Sequence, residues 1–247
     1  MKKKHLLSRR NAIGLGFASV GGLLLAGCSK KLPPTYGNIL RMADDLTYVA
    51  HRTLLPGQSL AKEYEHGDIS SFPATGTTNP GDASKPTYNE TYGQLHKGEF
   101  ADWRLSVEGQ VAKPGTYSLA DLQKFTPRTQ ITRHTCEEGW TAIAEWTGVP
   151  LSLVLLNAGI LPSARFVNLY AYDGYVESID LIDAFHPQTI LAYGMNGSSL
   201  PVPHGAPLRL RVEKQVGYKS VKYLQRIKVT DEFVDMGDSG WAWYVGI

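Results

Sequence analysis

The sequence predicts an α+β fold with a mixed β-sheet, a barrel-like core and short helices. Three observations favour this class. The 247 residues include 25 glycines and 14 prolines without a repeat, segments with strand patterns outnumber helical ones, and no strand–helix–strand alternation with a glycine fingerprint is present in the sequence. An apolar fraction of 43% with 19% charged residues suits one compact domain. Disorder, a coiled coil and a dinucleotide-binding fold are therefore excluded.

Local patterns place the elements along the chain. Alternating apolar residues over 103–107 indicate a strand, and Ser118 with Asp121 forms a capping box that begins a short helix. The pair Asn196-Gly197 between apolar segments is typical of a hairpin turn. Strands are predicted over 103–107, 130–135, 166–172, 189–193, 208–212 and 223–229, and helices over 38–54, 118–125, 152–158 and 180–185.

Composition divides the chain into three parts. Residues 1–28 have the order of regions of an export signal, residues 29–100 are rich in Pro and Gly turns and are expected to form a tether and an N-terminal strap, and residues 101–247 carry the patterns of the domain. Five of the 25 basic residues lie in the first ten positions, and without them 20 basic residues face 23 acidic ones, a net charge of −3. This balance argues against nucleic-acid binding.

The first 28 residues predict export with a lipid anchor. The apolar run that ends at Ala26 is shorter than the roughly 20 residues of a transmembrane helix. The pair Arg9-Arg10 resembles a twin-arginine signal, but Ala12 stands where such signals usually have a large apolar residue, so a Sec signal stays open. The stretch 25–28 is similar to a lipoprotein processing site. We therefore expect a periplasmic protein that acyl chains on Cys28 tether to the membrane.

The second cysteine, Cys136, has no partner for a disulfide within the chain if Cys28 is lipidated. It can be a buried core residue, a nucleophile beside His134, a zinc or copper ligand, or a single thiolate on a metal whose other ligands come from an organic cofactor. The remaining histidines show no metal-ligand spacing, and the sequence contains no motif of a serine hydrolase, zinc protease or phosphate-binding loop. The fourth explanation best fits a solitary cysteine.

A large anionic cofactor also needs a polar cradle, and two late segments supply one. The stretch 204–209 contains a histidine and an arginine, and 215–222 adds glycine, tyrosine and two lysines. Arginine binds phosphate through a planar fork, lysine acts as a mobile charge, and glycine lets backbone amides approach a ligand. Basic residues on strands more often form a solvated surface. These two segments therefore indicate a cofactor site only in combination with Cys136.

Together these segments resemble the sulfite oxidase family of molybdopterin-dependent oxidoreductases over roughly residues 102–231. Four blocks occur in the family's order. They are the cysteine segment 132–140, the middle segment 178–193 and the two pterin-phosphate segments 204–209 and 217–219. The pair Glu137-Glu138 and Trp140 are similar to the exported bacterial branch that includes methionine-sulfoxide-reducing enzymes.

This resemblance implies a molybdenum–molybdopterin cofactor. It implies that Cys136 binds the molybdenum and that Tyr175 is the active-site tyrosine, although Tyr175 can also be an aromatic residue packed on the core. By the same resemblance, the residues that hold the pterin and its phosphate are His204, Arg209, Gly217, Tyr218 and Lys219. The N-terminal pterin contact is expected at 75–78.

The expected activity is a two-electron oxygen-atom transfer on a small-molecule substrate. Sulfite oxidases carry an arginine pair after the cysteine, whereas Glu137 and Glu138 would repel an anion, so reduction of an S-oxide or N-oxide is favoured over sulfite oxidation. Protons are expected to come through Tyr175, His134 or Glu137. Because the sequence contains no haem, flavin or iron–sulfur motif, the expected redox partner is a membrane b-type cytochrome or a soluble cytochrome.

Three alternatives stay open at this point. The chain can be a sulfite-oxidising dehydrogenase, a non-enzymatic lipoprotein that uses the same fold as a binding module, or a thiol hydrolase or redox enzyme built on Cys136 and His134. Molybdenum content separates the molybdenum enzymes from the other two classes.

Overall fold

The structure, a computed structural model, describes residues 59–232 together with Ala50, Thr53 and Leu54. Those three residues are helical, in agreement with the helix predicted over 38–54, most of which lies outside the described residues. The predicted export signal, Cys28 and much of the predicted tether also lie outside them. No helix within the described part of the chain is both long and apolar enough to cross a membrane.

Residues 59–232 contain ten strands and four short α-helices, joined by turns and loops. The strands are β1 Leu105–Gly109, β2 Gly115–Tyr117, β3 Arg128–Thr135, β4 Thr141–Pro150, β5 Phe166–Ala171, β6 Val176–Asp180, β7 Ile190–Met195, β8 Ser198–Ser199, β9 Arg209–Arg211 and β10 Leu224–Thr230. The helices are α1 Glu90–Lys97, α2 Leu119–Leu122, α3 Leu151–Ala158 and α4 Leu181–Ala184. Three 3-10 turns lie at His66–Asp68, Val202–His204 and Gly217–Lys219.

The strands form two five-stranded sheets, which confirms the α+β class. The first sheet has the order β2-β1-β10-β5-β6, and the second has the order β3-β4-β7-β8 with β9 also paired to β7. Only β1 and β10 pair in parallel; the other pairs are antiparallel. The barrel-like core expected from the sequence is not a closed barrel, because within residues 59–232 the edges of the two sheets do not pair. Alternation predicts strands but does not determine which edges meet.

Most predicted elements occur within one or two residues of their expected positions. The capping box at Ser118 and Asp121 is formed, although the helix ends at Leu122 instead of Phe125. The turn at Asn196-Gly197 joins β7 to β8 with both residues at positive φ. Elements without a prediction are α1, β2, β4 and β6. Strand β4 is buried on both faces along much of its length, so its apolar residues do not alternate.

Two apolar clusters support the sheets. The larger cluster includes residues of β1, β5 and β10, the buried side of α3, and Leu208 and Leu210 around β9. The smaller cluster centres on Trp146, with Phe72 packed against it. Phe72 belongs to residues 70–78, hereafter the 70–78 loop, and a backbone bond from Ser70 N to Ile143 O (3.0 Å) ties this loop to β4. The loop therefore lies beside the second sheet.

Candidate molybdopterin site

A cavity of about 300 Å³ brings together four separate parts of the chain. Its walls come from the 70–78 loop, the turn between β3 and β4, the turn between β5 and β6, and the segments that flank β9. The residues used below that line it are Phe72, Thr75, Thr77, His134, Cys136, Glu137, Glu138, Trp140, Asp173, Tyr175, His204, Arg209, Gly217, Tyr218, Ser220 and Lys222.

Cys136 is positioned by the tight turn between β3 and β4. Its backbone N–H donates to Trp140 O at 2.9 Å, and Gly139 N–H donates back to Cys136 O at 3.1 Å, with Gly139 at a φ of +91°. The side chain is buried but belongs to the cavity wall, so it is not enclosed in packed hydrocarbon. Burial, and then the nearby Glu137 and Glu138 carboxylates, raise the pKa of the thiol. Without a cationic ligand, this environment favours the thiol over the thiolate.

His134 is held as a neutral imidazole. Arg211 Nη1 donates to its Nδ1 at 2.7 Å, so the ring proton lies on Nε2. Burial, followed by the charges of Arg211 and Arg209, lowers the pKa of His134 to about 2. His134 is therefore uncharged at neutral pH, with its Nε2 proton toward the cavity side of the ring, and the expectation that protons can come through it stays a prediction. No hydrogen bond joins it to Cys136 within the described residues, so the structure lacks the activated pair of a thiol hydrolase.

Arg209 presents a buried positive charge at the cavity. Its guanidinium donates to His204 O and Ser220 O, both at 2.9 Å, and lies 5.0 Å from the centre of the Trp146 ring system. Burial and then Arg211 lower its pKa to about 9. Within residues 59–232 no carboxylate lies at salt-bridge distance from Arg209. A buried cation in this situation favours an anionic ligand.

Lys222 joins the cavity to the 70–78 loop. Its ammonium donates to Thr75 O (2.7 Å), to Pro203 O (3.3 Å) and to Thr77 O. Burial and the charge of Arg209 lower the pKa of Lys222 to about 8, and His204 beside them has its pKa lowered to about 4, mainly by burial. At neutral pH the cavity wall thus carries two cationic groups close together, Arg209 and Lys222.

Gly217 and Tyr218 show where a ligand would meet the protein. A Cβ atom on Gly217 would lie 2.6 Å from His134 Nε2, so only glycine fits against this ring. Tyr218 is 5% exposed, yet its hydroxyl is one of three buried side-chain polar atoms without a hydrogen-bond partner within the described residues. A buried hydroxyl at a cavity wall without a partner indicates that a polar ligand completes its bonding.

The structure brings most predicted site residues together. Cys136, Tyr175, His204, Arg209, Gly217 and Tyr218 line the cavity, and so do Thr75 and Thr77, whereas Lys219 does not. Lys219 is buried beside Glu177 instead. The specific roles assigned to these residues stay predictions, since their shared position shows contact with the cavity and not function.

Sequence reasoning did not single out Phe72, Asp173 or Ser220. Phe72 packs against the rings of His134, Trp140, Trp146 and His204 at centroid distances of 5.1–5.7 Å. Asp173 is part of an Asp-Gly turn, a signal that marks a loop without revealing what the loop faces. Lys222 belongs to the basic segment 215–222, but the sequence does not show that it, and not Lys219, lines the cavity.

The residues present fit a molybdenum–pterin cofactor. Cations at Arg209 and Lys222 suit a phosphate, the Tyr218 hydroxyl and the bare Gly217 suit close polar contact, and Cys136 offers one thiol to a metal. Within the described residues no group of three or more His, Cys, Asp or Glu side chains is arranged to hold a metal ion. A molybdenum–pterin cofactor would not need such a group, because the pterin would itself supply ligands to the metal.

The fold and the site define a molybdopterin-dependent oxidoreductase of the sulfite oxidase type. The chain belongs to the family of oxidoreductase molybdopterin binding domains, whose family model matches residues 92–236. This membership confirms the expected family and the expected molybdenum–molybdopterin cofactor, and it makes the chain a molybdenum-dependent enzyme.

Individual relatives agree with this assignment. A protein of Azospira oryzae, by its name a protein-methionine-sulfoxide reductase subunit, YedZ1, is 36% identical over 163 residues, which cover 64% of this chain and 62% of that protein. The protein-methionine-sulfoxide reductase catalytic subunit MsrP of Xanthomonas campestris is 30% identical over 259 aligned positions, covering 94% of this chain and 72% of MsrP.

A solved structure shares the fold. The crystal structure of the sulfane dehydrogenase SoxCD from Paracoccus pantotrophus matches with a TM-score of 0.52 and 27% identity, over 54% of this chain and 39% of that one. The chain therefore spans less than two thirds of the length of the Azospira protein and of the SoxCD chain.

Proposed function

We propose that this protein is the catalytic subunit of an exported, lipid-anchored molybdopterin enzyme that reduces an S-oxide or N-oxide, with methionine sulfoxide in proteins as the favoured substrate. The observation that carries the proposal is the presence in one cavity of the Cys136 thiol, the acidic pair Glu137 and Glu138, and the buried cations Arg209 and Lys222. The relatives named as methionine-sulfoxide reductase subunits support the substrate class.

In this proposal Cys136 is the protein ligand of the molybdenum, and Arg209, His204, Gly217 and Tyr218 hold the pterin. When bound, the cofactor supplies the two-electron redox change of oxygen-atom transfer. The protein fixes the orientation of the cofactor and places the Tyr175 hydroxyl at the wall of the same cavity. Burial and the Glu177 carboxylate raise the pKa of Tyr175, so this side chain keeps its proton.

The acidic pair supports reduction of a neutral oxide. The Cys136 thiol lies 3.6 Å from Glu137 Oε2, and Glu138 Oε2 accepts a hydrogen bond from the Trp140 indole at 2.9 Å. Both carboxylates belong to the cavity wall and would repel sulfite, whereas a sulfoxide carries no net charge. Aromatic side chains at Phe72 and Trp140 offer apolar surfaces against which the methyl and methylene groups of a methionine sulfoxide side chain can pack.

Export, anchoring and the redox partner complete the proposal. The export signal over 1–28 and the processing site at Cys28 support a periplasmic protein tethered to the membrane. The names of the relatives describe subunits, which supports an enzyme that works with a second protein. We propose a membrane b-type cytochrome or a soluble cytochrome in this role, because a tethered enzyme meets a membrane partner at raised effective concentration.

Elemental analysis and substrate profiling test the function. Protein made with its signal in a molybdenum-competent host should contain close to one Mo per chain and should reduce dimethyl sulfoxide and methionine sulfoxide with reduced benzyl viologen. Fast oxidation of sulfite with ferricyanide would reverse the proposed direction. The absence of molybdenum would favour a binding module instead.

Two variants test the ligand and the anchor. Cys136→Ser should lose both molybdenum and activity, and a fully loaded, active Cys136→Ser protein would overturn the proposed ligand. Cys28→Ala should release the protein from the membrane fraction while the released protein stays active.

A further inference from the structure

A fully buried ion pair lies directly behind the cavity wall. Glu177 is 0% exposed on β6, Lys219 is 1% exposed in the Gly217–Lys219 turn, and Lys219 Nζ lies 2.7 Å from Glu177 Oε1. Lys219 Nζ also donates to Ser178 O at 2.8 Å. The pair joins β6 to the turn that provides Gly217 and Tyr218 to the cavity.

The two carboxylate oxygens of Glu177 have different partners. Oε1 accepts from Lys219 Nζ and from Ser178 N–H (2.9 Å), while Oε2 lies 3.4 Å from the Tyr175 hydroxyl. The same hydroxyl lies 3.0 Å from Tyr218 O. Both acceptors available to Tyr175 therefore belong to the unit that the Glu177–Lys219 pair holds together.

From this geometry we propose that Glu177 and Lys219 position the Tyr175 hydroxyl for the reaction, and that Lys219 is the counter-ion of Glu177 and not a ligand of the pterin phosphate. The inference rests on the function proposed above. Tyr175 lines the cavity, and its hydroxyl lies within hydrogen-bond distance of both Tyr218 O and Glu177 Oε2, so these two groups fix the position of its oxygen at the cavity wall. A side chain fixed in this way loses little freedom when substrate binds.

The burial of the pair explains why Lys219 stays with Glu177. A carboxylate with no exposure needs a cation beside it, and a move of Lys219 toward a phosphate would leave Glu177 buried without its counter-ion. Arg209 and Lys222 already supply positive charge at the cavity wall.

A double substitution separates positioning from simple structural support. Glu177→Gln combined with Lys219→Met removes both charges together and avoids an unpaired buried ion. It should load molybdenum like the wild type, lower kcat for dimethyl sulfoxide about tenfold or more, and change KM less than about twofold. The Mo(V) electron paramagnetic resonance spectrum should shift. Glu108→Gln with Arg226→Met, which removes a partly exposed pair, is the matched control and should behave like the wild type.

A mutant cycle that combines Tyr175→Phe with the double substitution decides whether the Glu177–Lys219 pair acts through Tyr175. Tyr175→Phe alone should lower kcat about tenfold or more, and adding Glu177→Gln and Lys219→Met to it should lower kcat no further. The inference would be overturned if the reductions in kcat multiplied when the substitutions are combined. It would also be overturned if Tyr175→Phe or the double variant kept full activity, or if the double variant lost molybdenum. If the double variant does not fold, Glu177→Asp keeps the charge and shortens the reach to Tyr175, and an unchanged kcat there would also overturn it.

Failure of the proposed function gives a different result. Wild-type protein without molybdenum, or loaded but inactive on S-oxides, would overturn the proposed function and this inference with it. Active, loaded wild-type protein with multiplied effects in the cycle would overturn only the role of Glu177 and Lys219.

Discussion

The Cα atom of Gly217 lies so close to the imidazole of His134 that a Cβ atom at position 217 would come within 2.6 Å of Nε2 and 2.7 Å of Cε1. The ring has little room to retreat. Arg211 Nη1 donates to Nδ1 of the ring at 2.7 Å, and Arg211 Nη2 donates to Glu213 Oε2 at 2.8 Å. The contact therefore fixes the turn that brings Tyr218 to the cavity.

Gly217→Ala should lower the free energy of unfolding by about 1–3 kcal/mol and reduce molybdenum occupancy, because overpacking forces either the ring or the turn to move. Gly67→Ala is the control, since a Cβ there would meet nothing within 4 Å. Chemical denaturation and elemental analysis measure the two effects. A Gly217→Ala protein as stable and as loaded as the wild type would show that the contact is not restrictive.

Arg209→Met should reduce molybdenum occupancy about tenfold. The substitution removes a buried charge that faces the cavity without a carboxylate partner within residues 59–232, and a charge-assisted hydrogen bond to a ligand contributes roughly 1.5–3 kcal/mol. The carbonyls of His204 and Ser220 lose a donor, so stability should fall by about 1–2 kcal/mol. Arg226→Met, at a partly exposed arginine, should retain normal loading. Normal loading of Arg209→Met would argue against its contact with the cofactor.

Lys222→Met should loosen the 70–78 loop. The ammonium donates to carbonyls of Thr75, Thr77 and Pro203, and methionine replaces none of these bonds. Hydrogen exchange at amides of the loop should accelerate about tenfold or more, and the cofactor should be lost faster on dilution. Lys228→Met, at an exposed lysine of β10, is the control. Unchanged exchange in the loop would mean that its other contacts, the rings around Phe72 and the Tyr223 hydroxyl on Thr77 O, hold it without Lys222.

The pH dependence of stability should contain a contribution from His204. Burial, and then the charges of Arg209 and Lys222, lower its pKa to about 4 in the folded protein, whereas the unfolded chain has the ordinary value near 6.5. The unfolded state therefore binds the extra proton first, and the cofactor-free protein should lose stability as the pH falls from 6.5 to 4. Because the ring is only about half buried, we expect roughly 1–2 kcal/mol.

His204→Gln should remove this contribution, and denaturant titrations at pH 7, 5.5 and 4.5 measure it. His96→Gln, at an exposed histidine without an ion pair among the described residues, serves as the control. The same loss of stability in His204→Gln as in the wild type would assign the pH dependence to other groups.

Local signals in the sequence determined much of the fold. Residues three apart form the capping box at Ser118 and Asp121, and adjacent residues form the turn at Asn196-Gly197, so both could be predicted without tertiary contacts. Strand β4 was not predicted because burial on both faces removes the alternation that marks a half-buried strand. The open sheets were not predicted because pairing of edges depends on contacts far apart in the sequence.

By itself, the sequence determined the class of protein through its resemblance to a family, carried by the Cys136 segment with its acidic pair and by the basic, glycine-containing segments later in the chain. The tertiary structure alone decided which of two nearly identical side chains meets the cavity. Lys219 and Lys222 lie three residues apart in one segment, yet Lys219 is buried against Glu177 and Lys222 lines the cavity. Their chemistry is the same, and only the 3-10 turn at Gly217–Lys219, together with the position of β6 behind it, directs the two ammonium groups to different partners.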